Sequence, residues 1–209
     1  NDDGIYDSET YTVTCEDALF AGKVTAELKN SIVIGYDEGC RAHLCAVVSG
    51  IISAGKKIWD IGTCVQSQLR SAVRKTEADC GIFIENSCGN IKLIIYSSAG
   101  HPMTRNEEIT FSDLLETYMP GHESCTGELI HSEALIQMYR SEMKQLFTFS
   151  GNPDVRINSS SGVIRNLAES ITSGSPRTDS TGTVTFSISG SGLKASAYSL
   201  ETGYVFWEK

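Results

Sequence analysis

The sequence lacks an excess of basic residues, a long apolar run and a leader segment. Among its 209 residues, 17 are Lys or Arg and 26 are Asp or Glu, and the formal net charge is −9. Nucleic acids and anionic membranes attract basic surfaces, so we expect neither as a partner. No apolar run approaches the ~20 residues that span a bilayer, and no basic and apolar leader is present. These absences predict a cytoplasmic protein without a secretory signal.

Several common catalytic and binding motifs are also missing. There is no Walker A motif, no His-Glu-x-x-His helix, no EF-hand loop and no nucleophile elbow. The chain has seven cysteines, an odd number, and several of them fall inside apolar patterns. That distribution argues against a disulfide scaffold in a chain of this length. We therefore expect free thiols.

A zinc site has only partial support. Structural zinc is usually held by two closely spaced pairs of ligands. His122 and Cys125 have a suitable spacing, but a second such pair is missing. The interpretation without a bound metal is therefore favoured. The other candidate ligands are scattered along the chain: Cys40, His43, His101 and His131.

The first half of the chain alternates short apolar strands with amphipathic helices. Thr14 and Asp17 resemble a capping box at the start of a helix, and Gly55 is placed to end a later one. Near-continuous apolar strands between helices are typical of a sheet covered on both faces. The predicted fold class is therefore α/β, with a parallel or mixed sheet flanked by helices. The strands are predicted at residues 32–35, 57–61, 80–84 and 92–96, and the helices between them at residues 41–54 and 65–73.

The second half is predicted to form a smaller α/β unit. Residues 97–127 are irregular, with a short helix near residues 113–118, and a longer helix follows. We place a domain boundary after residue 128, which gives domains at residues 1–128 and 129–209. The second domain is predicted to contain a strand at residues 155–157, a helix at 163–171, a loop at 172–182 and a hairpin at 184–207 that turns at 201–203.

Ser87 is the most suggestive nucleophile in the sequence. It lies in a polar stretch, residues 85–90, that is predicted to form a loop after the third strand. Open parallel sheets place their ligands outside the carboxyl ends of the strands. The alternative is a loop serine that caps a backbone group. Spacing alone favours that alternative, since only Glu85 supplies a neighbouring acid or base.

A glycine-rich stretch near the end of the chain is a second candidate. Residues 189–194 read SGSGLK, and successive backbone N–H groups in such a turn can cradle a phosphate. A dinucleotide fingerprint would need a helix to follow, whereas residues 195–198 are predicted to form a strand. An ordinary tight hairpin turn is therefore the alternative.

Four stretches of the sequence, taken in order, carry a family resemblance. They are DGIYD at residues 3–7, VIGYD at 33–37, GIFIENSC at 81–88 with NIKL at 90–93 and GHPMT at 100–104, and FSISGSGLK at 186–194. These stretches resemble motifs of the α-D-phosphohexomutase superfamily, which includes phosphomannomutase, phosphoglucomutase and phosphoglucosamine mutase. The resemblance covers the first domain of that family nearly throughout and the second in shortened form, without the third and fourth. It implies an α/β/α first domain, a phosphoserine at Ser87 and a magnesium ion held by three aspartates.

Most charged residues of the family's site are replaced in this chain. At the positions that match the three aspartates stand Ser189, Ser191 and Leu193, none of which offers the carboxylate that magnesium prefers. Phosphoryl transfer depends on metal and cationic groups to neutralise developing charge, and losing one costs several kcal/mol of barrier. Ser87 and Lys92 are retained. The other replacements are Tyr6, Tyr36 and Gly39 for arginines, Cys88 for a histidine, and Gln66-Ser67 for Thr-Pro.

The favoured hypothesis is a catalytically inactive phosphohexomutase-like protein. The apolar pattern of its fold is intact, while the charges of its chemistry are missing. Such a protein would act as a binding, regulatory or assembly module without a cofactor. Its partner would be another protein, such as an active mutase, or a second copy of itself.

Two other hypotheses stay open. The chain could be a divergent phosphomannomutase- or phosphoglucomutase-type enzyme in which Ser87 is phosphorylated and magnesium is required. Lys92, Arg41 or Lys194 would then supply positive charge. It could also be a hexose-phosphate sensor that binds through the backbone amides of residues 87–90 and of a second loop. The residues of that second loop are Ser189, Gly190, Ser191 and Gly192.

Overall fold

The computed structural model describes most of the first half of the chain and shorter segments of the second. The chain divides into two compact units, Asn1–Ile136 and Gln137–Lys209, whereas the sequence places the boundary after residue 128. Within the described residues, no helix has both the length and the apolar character needed to cross a membrane. The described residues are 12–87, 89–118, 126–146, 154–159, 161–172, 183–188, 195–198 and 205–208.

The first unit alternates helices and strands, as the sequence predicts. The last helix of the series begins in the first unit and ends in the second. In chain order the elements are α1 (Cys15–Leu28), β1 (Ser31–Tyr36), α2 (Arg41–Ser53), β2 (Lys57–Thr63), α3 (Gln66–Thr76), β3 (Cys80–Ser87), β4 (Asn90–Ser97), α4 (Arg105–Thr117), β5 (Glu128–His131) and α5 (Ala134–Leu146).

The strands of the first unit form one mixed sheet in the order β4-β3-β1-β2-β5. β1 pairs in parallel with β2 and β3, and β2 pairs in parallel with β5, while β4 runs antiparallel to β3. The predicted α/β class with a parallel or mixed sheet is therefore confirmed. The sequence does not reveal β5, because its four residues are mostly exposed and show no apolar alternation.

Side chains of the strands alternate between two cores, one on each face of the sheet. Ile32 and Ile34 are buried in a cluster shared with α1 and α2, whereas Val33 is buried in a cluster on the α3 face. Phe111 brings α4 into the first cluster, and Ile136 brings the start of α5 into the second. Helices therefore cover both faces in an α/β/α arrangement. The ends of the strands remain available for polar side chains.

Helix boundaries follow capping signals, one of which the sequence analysis overlooked. The capping box of Thr14 and Asp17 opens α1 as predicted, and Gly55, with φ of +74°, follows the end of α2. A second capping box joins Thr104 and Glu107, so α4 begins at Arg105. The prediction of a short helix near residues 113–118 was wrong, since the helix starts at this cap and extends over more than three turns.

The described segments of the second unit form a smaller sheet. The elements are β6 (Asp154–Ser159), α6 (Gly162–Thr172), β7 (Thr183–Ile188), β8 (Ala195–Tyr198) and β9 (Val205–Glu208), and the strand order is β6-β7-β8-β9. β6 pairs in parallel with β7, and the remaining pairs are antiparallel. The predicted strand, helix and antiparallel end are all present. The predicted loop after Thr172 and the turn at residues 201–203 lie outside the described residues.

The described cysteines are free thiols, and three of them are buried in the first unit. Burial raises the pKa of Cys80 to about 12 and also raises the pKa of Cys64. Such thiols stay protonated at neutral pH, so they behave as small apolar groups rather than as nucleophiles. The described cysteines are Cys15, Cys40, Cys45, Cys64 and Cys80.

Candidate functional site

Ser87 is the last residue of β3, at the carboxyl-terminal edge of the parallel strands, and its side chain is exposed. The connection that follows is shorter than the sequence indicates. Residues 85–87 continue β3, and Asn90 opens β4 directly opposite Ser87. The prediction of a loop at residues 85–90 was wrong, because the antiparallel ladder to β4 satisfies backbone groups that a loop would leave to solvent.

Asn86 fastens the β3–β4 turn to the segment that follows β1. Its Nδ2 donates to the carbonyl oxygen of Glu38 at 3.2 Å, and its Oδ1 accepts from the backbone N–H of Gly89 at 2.9 Å. Gly39 has φ of +84°, and a Cβ at that position would lie 3.1 Å from Nδ2 of Asn86. The turn beside Ser87 is therefore held in place. The sequence analysis missed this role of Asn86, although Asn is common where a side chain satisfies turn backbone groups.

Glu85, two residues before Ser87 on the same face of the strand, is engaged by other side chains. Gln66 donates from Nε2 to Oε1 of Glu85 at 3.1 Å, and the Tyr96 hydroxyl donates to Oε1 of Gln66 at 2.7 Å. Lys92 is the cross-strand neighbour of Glu85. The carboxylate closest to Ser87 along β3 therefore accepts a hydrogen bond from α3 and lies opposite Lys92 in the ladder.

The charged groups at this edge are of both signs, with Lys92 on β4 opposite Glu85. Asp37 follows β1, Glu85 lies near the end of β3, and Arg41 is exposed at the start of α2. The pKa of the buried Cys40 thiol, which lies near this edge, is raised to about 11. Burial is the main cause, and the negative charges of Asp37 and Glu85 add to it. A phosphate site normally gathers positive charge and N–H donors instead.

No metal centre forms among the described residues, where no group of three or more His, Cys, Asp or Glu side chains converges. The His43 ring places Nε2 at 3.0 Å from the carbonyl oxygen of Val13. The His131 ring places Nδ1 at 3.2 Å from Oδ2 of Asp60, its partner across the β2–β5 ladder. These two candidate zinc ligands thus serve separate structural contacts.

Several residues singled out by the sequence lie outside the described part of the chain. They include the glycine-rich stretch between β7 and β8, which the resemblance aligns with the metal loop. The residues concerned are Cys88, His122, Cys125, Ser189, Gly190, Ser191, Gly192, Leu193 and Lys194.

A cavity of about 280 Å³ lies in the first unit, away from Ser87. It is lined by the start of β3 and the end of β4, together with parts of α1 and α4. Since Cys80 and Ser87 are the two ends of β3, this cavity lies at the opposite edge of the sheet.

The architecture defines the class of protein, and a comparison of sequences identifies the family. A mixed sheet between two helical layers matches the α/β/α first domain of phosphohexomutases. The family model described as phosphoglucomutase/phosphomannomutase, alpha/beta/alpha domain I, matches residues 8–115, more than half of the chain. The chain belongs to the phosphoglucomutase/phosphomannomutase family, which confirms the resemblance. Among curated proteins, no sequence matches significantly.

Solved structures of this family share the fold at low sequence identity. A phosphoglucomutase/phosphomannomutase family protein from Burkholderia thailandensis matches with a TM-score of 0.70 and 12% identity over 95% of this chain and 54% of that one. A protein described as a phosphomannomutase from Thermus thermophilus matches with a TM-score of 0.67 and 14% identity, over 95% of this chain and 55% of that one. The open form of parafusin, a phosphoglucomutase from Paramecium, matches with a TM-score of 0.65 and 10% identity, over 88% of this chain and 49% of that one. The chain thus spans about half the length of these structures, and the likeness establishes the fold alone.

Proposed function

We propose that this chain is a non-catalytic member of the phosphohexomutase family that acts as a binding, regulatory or assembly module. The observation that carries the proposal is the identity of Ser189, Ser191 and Leu193 at the positions that match the metal-binding aspartates. Two hydroxyl groups bring no negative charge to a divalent cation, and Leu193 has no ligand atom. Without that cation, phosphoryl transfer loses a main stabiliser of its developing charge.

The surroundings of Ser87 support the same proposal. A phosphoserine carries about −1.5 to −2 charges at neutral pH. Glu85 shares the strand face of Ser87, and Asp37 follows the neighbouring strand. Tyr36 and Gly39 stand where the resemblance places arginines. Added negative charge at Ser87 would therefore meet these acidic neighbours, which disfavours the phosphorylated form, although Lys92 opposite Glu85 offsets part of this effect.

Intact-mass spectrometry after incubation with a hexose 1,6-bisphosphate and magnesium tests this proposal. We expect no gain of a phosphoryl group and no hexose-phosphate isomerisation by the purified chain. An active phosphomannomutase treated in parallel shows that the assay detects the phosphoenzyme. A gain of one phosphoryl group that Ser87→Ala abolishes would overturn the proposal.

That contrary outcome would instead support a divergent mutase. The observation in its favour is that Ser87 is exposed at the carboxyl edge of the sheet, where α/β proteins place their chemistry. Lys92, Arg41 or Lys194 would then neutralise part of the transferred charge. Substituting each of them with Met should slow phosphorylation of Ser87 if this alternative holds.

A thermal shift experiment distinguishes a hexose-phosphate sensor from the non-catalytic module and from the divergent mutase. A sensor that binds through backbone amides would be stabilised by glucose 6-phosphate, with or without EDTA. A metal-dependent enzyme would lose that stabilisation in EDTA. The non-catalytic module proposed here predicts no shift with glucose 6-phosphate under either condition.

The proposed partner is a protein, either an active family member or a second copy of this chain. Sedimentation equilibrium of the chain alone, and mixed with an active phosphomannomutase, distinguishes the two. Self-association gives a dimer in the first experiment, and a heteromeric complex appears only in the second. Monomeric behaviour in both would remove these two partners from the proposal.

A further inference from the structure

The cavity of about 280 Å³ opens at the amino-terminal edge of the five-stranded sheet. Its inner wall forms where β3 begins at Cys80 and β4 ends at Ser97, and its outer walls are the last turn of α1 and the first turns of α4. Its described lining includes no residue from the Ser87 edge. An inference about this cavity is therefore independent of the proposed loss of catalysis.

Much of the cavity wall is apolar. Phe111 and Ile95 are buried members of the core cluster, and Met103 packs against that cluster. Leu28 at the rim keeps 42% of its surface exposed. Small-molecule pockets typically measure about 300–1,000 Å³, so a cavity near the lower end of that range suits one ring with a short side chain.

Lys29 supplies positive charge to this cavity. The pKa of Glu107 is lowered chiefly by the backbone N–H of Thr104, and the charge of Lys29 contributes. The pKa of Asp79 is lowered chiefly by the backbone N–H of Asn30, again with a contribution from Lys29. Lys29 lines the cavity together with Glu107, and its charge also acts on Asp79, which is not part of the lining.

Both of those carboxylates already have other partners. Oε2 of Glu107 accepts from the backbone N–H and the hydroxyl of Thr104, each at 2.8 Å. Oδ2 of Asp79 accepts from the backbone N–H groups of Asn30 and Ser31 at 2.9 and 3.0 Å. None of the ion pairs within the described residues involves Lys29. Its ammonium group can donate to a ligand carboxylate without first breaking an ion pair to a described residue.

Two further polar side chains line the same cavity. In the described part of the chain, the Ser97 hydroxyl and the Asn106 amide make no hydrogen bond to another protein group. Both can donate to a carboxylate. An apolar wall with a few uncommitted polar groups is typical of a small-molecule site.

We propose that this cavity binds a small monocarboxylate with an aromatic or branched apolar body. The apolar body occupies the space against Phe111, Ile95 and Met103, and the carboxylate pairs with Lys29. Ser97 and Asn106 complete its hydrogen bonds. A hexose phosphate fits less well, because several of its hydroxyl groups would lose water against the apolar part of the wall formed by Phe111, Ile95 and Met103.

The test is a titration of the ¹⁵N-labelled protein with 3-phenylpropionate, followed by amide chemical shifts. We expect saturable shifts at Cys80, Ser97 and Thr110, with a Kd of about 1 mM, as befits a fragment-sized ligand. The uncharged analogue 3-phenylpropionamide should bind more weakly. Lys29→Met keeps the apolar stem and removes the charge. It should raise the Kd of 3-phenylpropionate about tenfold, since a hydrogen bond to a charged group is lost.

Two further variants test whether binding occurs in this cavity and whether it depends on Lys29 rather than on the net charge of the protein. Thr110→Phe places a ring at the exposed mouth of the cavity and should abolish binding, while circular dichroism checks that the variant is folded. Lys144→Met removes a charge from an exposed position on α5 and should leave the Kd unchanged. The proposal is overturned if the shifts do not saturate, if they fall near Ser87, or if Lys29→Met binds as well as the unmodified protein.

Discussion

The carboxyl-terminal and amino-terminal ends of the strands, called here the carboxyl edge and the amino edge of the sheet, differ in how many of their polar side chains have partners. At the carboxyl edge, Glu85 and Asn86 hold neighbouring segments through hydrogen bonds to other parts of the protein. At the amino edge, the side chains of Lys29, Ser97 and Asn106 surround a cavity and have no polar partner within the described ranges. Asp79 braces the amino edge as well, through hydrogen bonds from Asn30 and Ser31, so the difference lies in the cavity-lining side chains that the amino edge leaves available to meet a ligand.

This difference shows that the fold and the chemistry depend on separate residues. Ile32, Ile34 and Ile82 are buried in the core, and their burial does not depend on the charges at either edge. Charged side chains at strand ends can therefore be replaced with little effect on stability. The proposed loss of the family's catalytic charges is compatible with an intact sheet for that reason.

The largest expected effect is that of Phe111→Ala, which breaks the wall of the amino-edge cavity. Phe111 is 1% exposed and belongs to the core cluster. Removing such a side chain typically costs about 3–5 kcal/mol, from lost burial and from the void left behind. Ile109→Ala on the same helix is the control, since Ile109 is 50% exposed. Urea denaturation should separate the two variants clearly, and equal costs would mean that this wall is not part of the core.

A smaller effect is expected where α1 and α2 touch behind the sheet. A Cβ on Gly50 would overlap the carbonyl oxygen of Leu19 and lie 2.9 Å from the backbone nitrogen of Lys23. Gly50→Ala should therefore destabilise the protein by about 1–3 kcal/mol, although alanine normally favours a helix interior. Ser49→Ala is the matched control at an exposed neighbouring position. A stabilising Gly50→Ala would show that the helices are further apart than described.

At the carboxyl edge, Asn86→Ala tests whether the side-chain hydrogen bonds of Asn86 stabilise the folded protein. The substitution removes the bonds to Glu38 and Gly89, and a typical net cost is about 1 kcal/mol. Ser87→Ala should change the free energy of unfolding by less than about 0.5 kcal/mol, because its side chain is exposed. Chemical denaturation of both variants decides the point. If Ser87→Ala proves the more costly change, the structural roles assigned to these two neighbours are reversed.

The sequence predicts the apolar interior of the first unit well. Strands such as β1 consist of buried residues on both faces, so a continuous apolar run reveals them. The sequence fails at β5, whose pairing with β2 comes from tertiary contact rather than from its own pattern. It also fails at α4, where the capping signal of Thr104 and Glu107 was present but overlooked.

The candidate sites are less predictable, because they depend on contacts between distant segments. The position of Ser87 at a strand end follows from the sequence, but the antiparallel pairing with Asn90 replaces the predicted loop. The cavity at the amino edge joins residues from α1, β4 and α4 that no motif connects. The sequence does not distinguish Lys29 from other lysines. Only the structure shows that the nearby carboxylates of Asp79 and Glu107 accept hydrogen bonds from backbone N–H groups.

The smallest expected effect concerns the acid dependence of stability at the amino edge. The pKa of Asp79 is lowered from its ordinary value of 3.8, chiefly by the backbone N–H of Asn30 and further by the backbone N–H and hydroxyl of Ser31. A carboxyl whose pKa is lower in the folded state stabilises the protein above its unfolded-state pKa. That contribution is lost as the pH falls from about 4 through the folded-state value.

Asp79→Asn should therefore lower the free energy of unfolding near pH 6 by less than about 1 kcal/mol, because solvent still reaches and screens this half-buried group. The difference from the unmodified protein should shrink toward zero as the pH falls through the lowered folded-state pKa of Asp79, where the native carboxyl becomes protonated. Asp113→Asn removes one negative charge from the surface of α4 and corrects for the change in net charge. Urea denaturation across this pH range provides the measurement. A deficit for Asp79→Asn that grows as the pH falls would contradict the assignment, because the unmodified carboxyl would then stabilise the fold mainly when protonated.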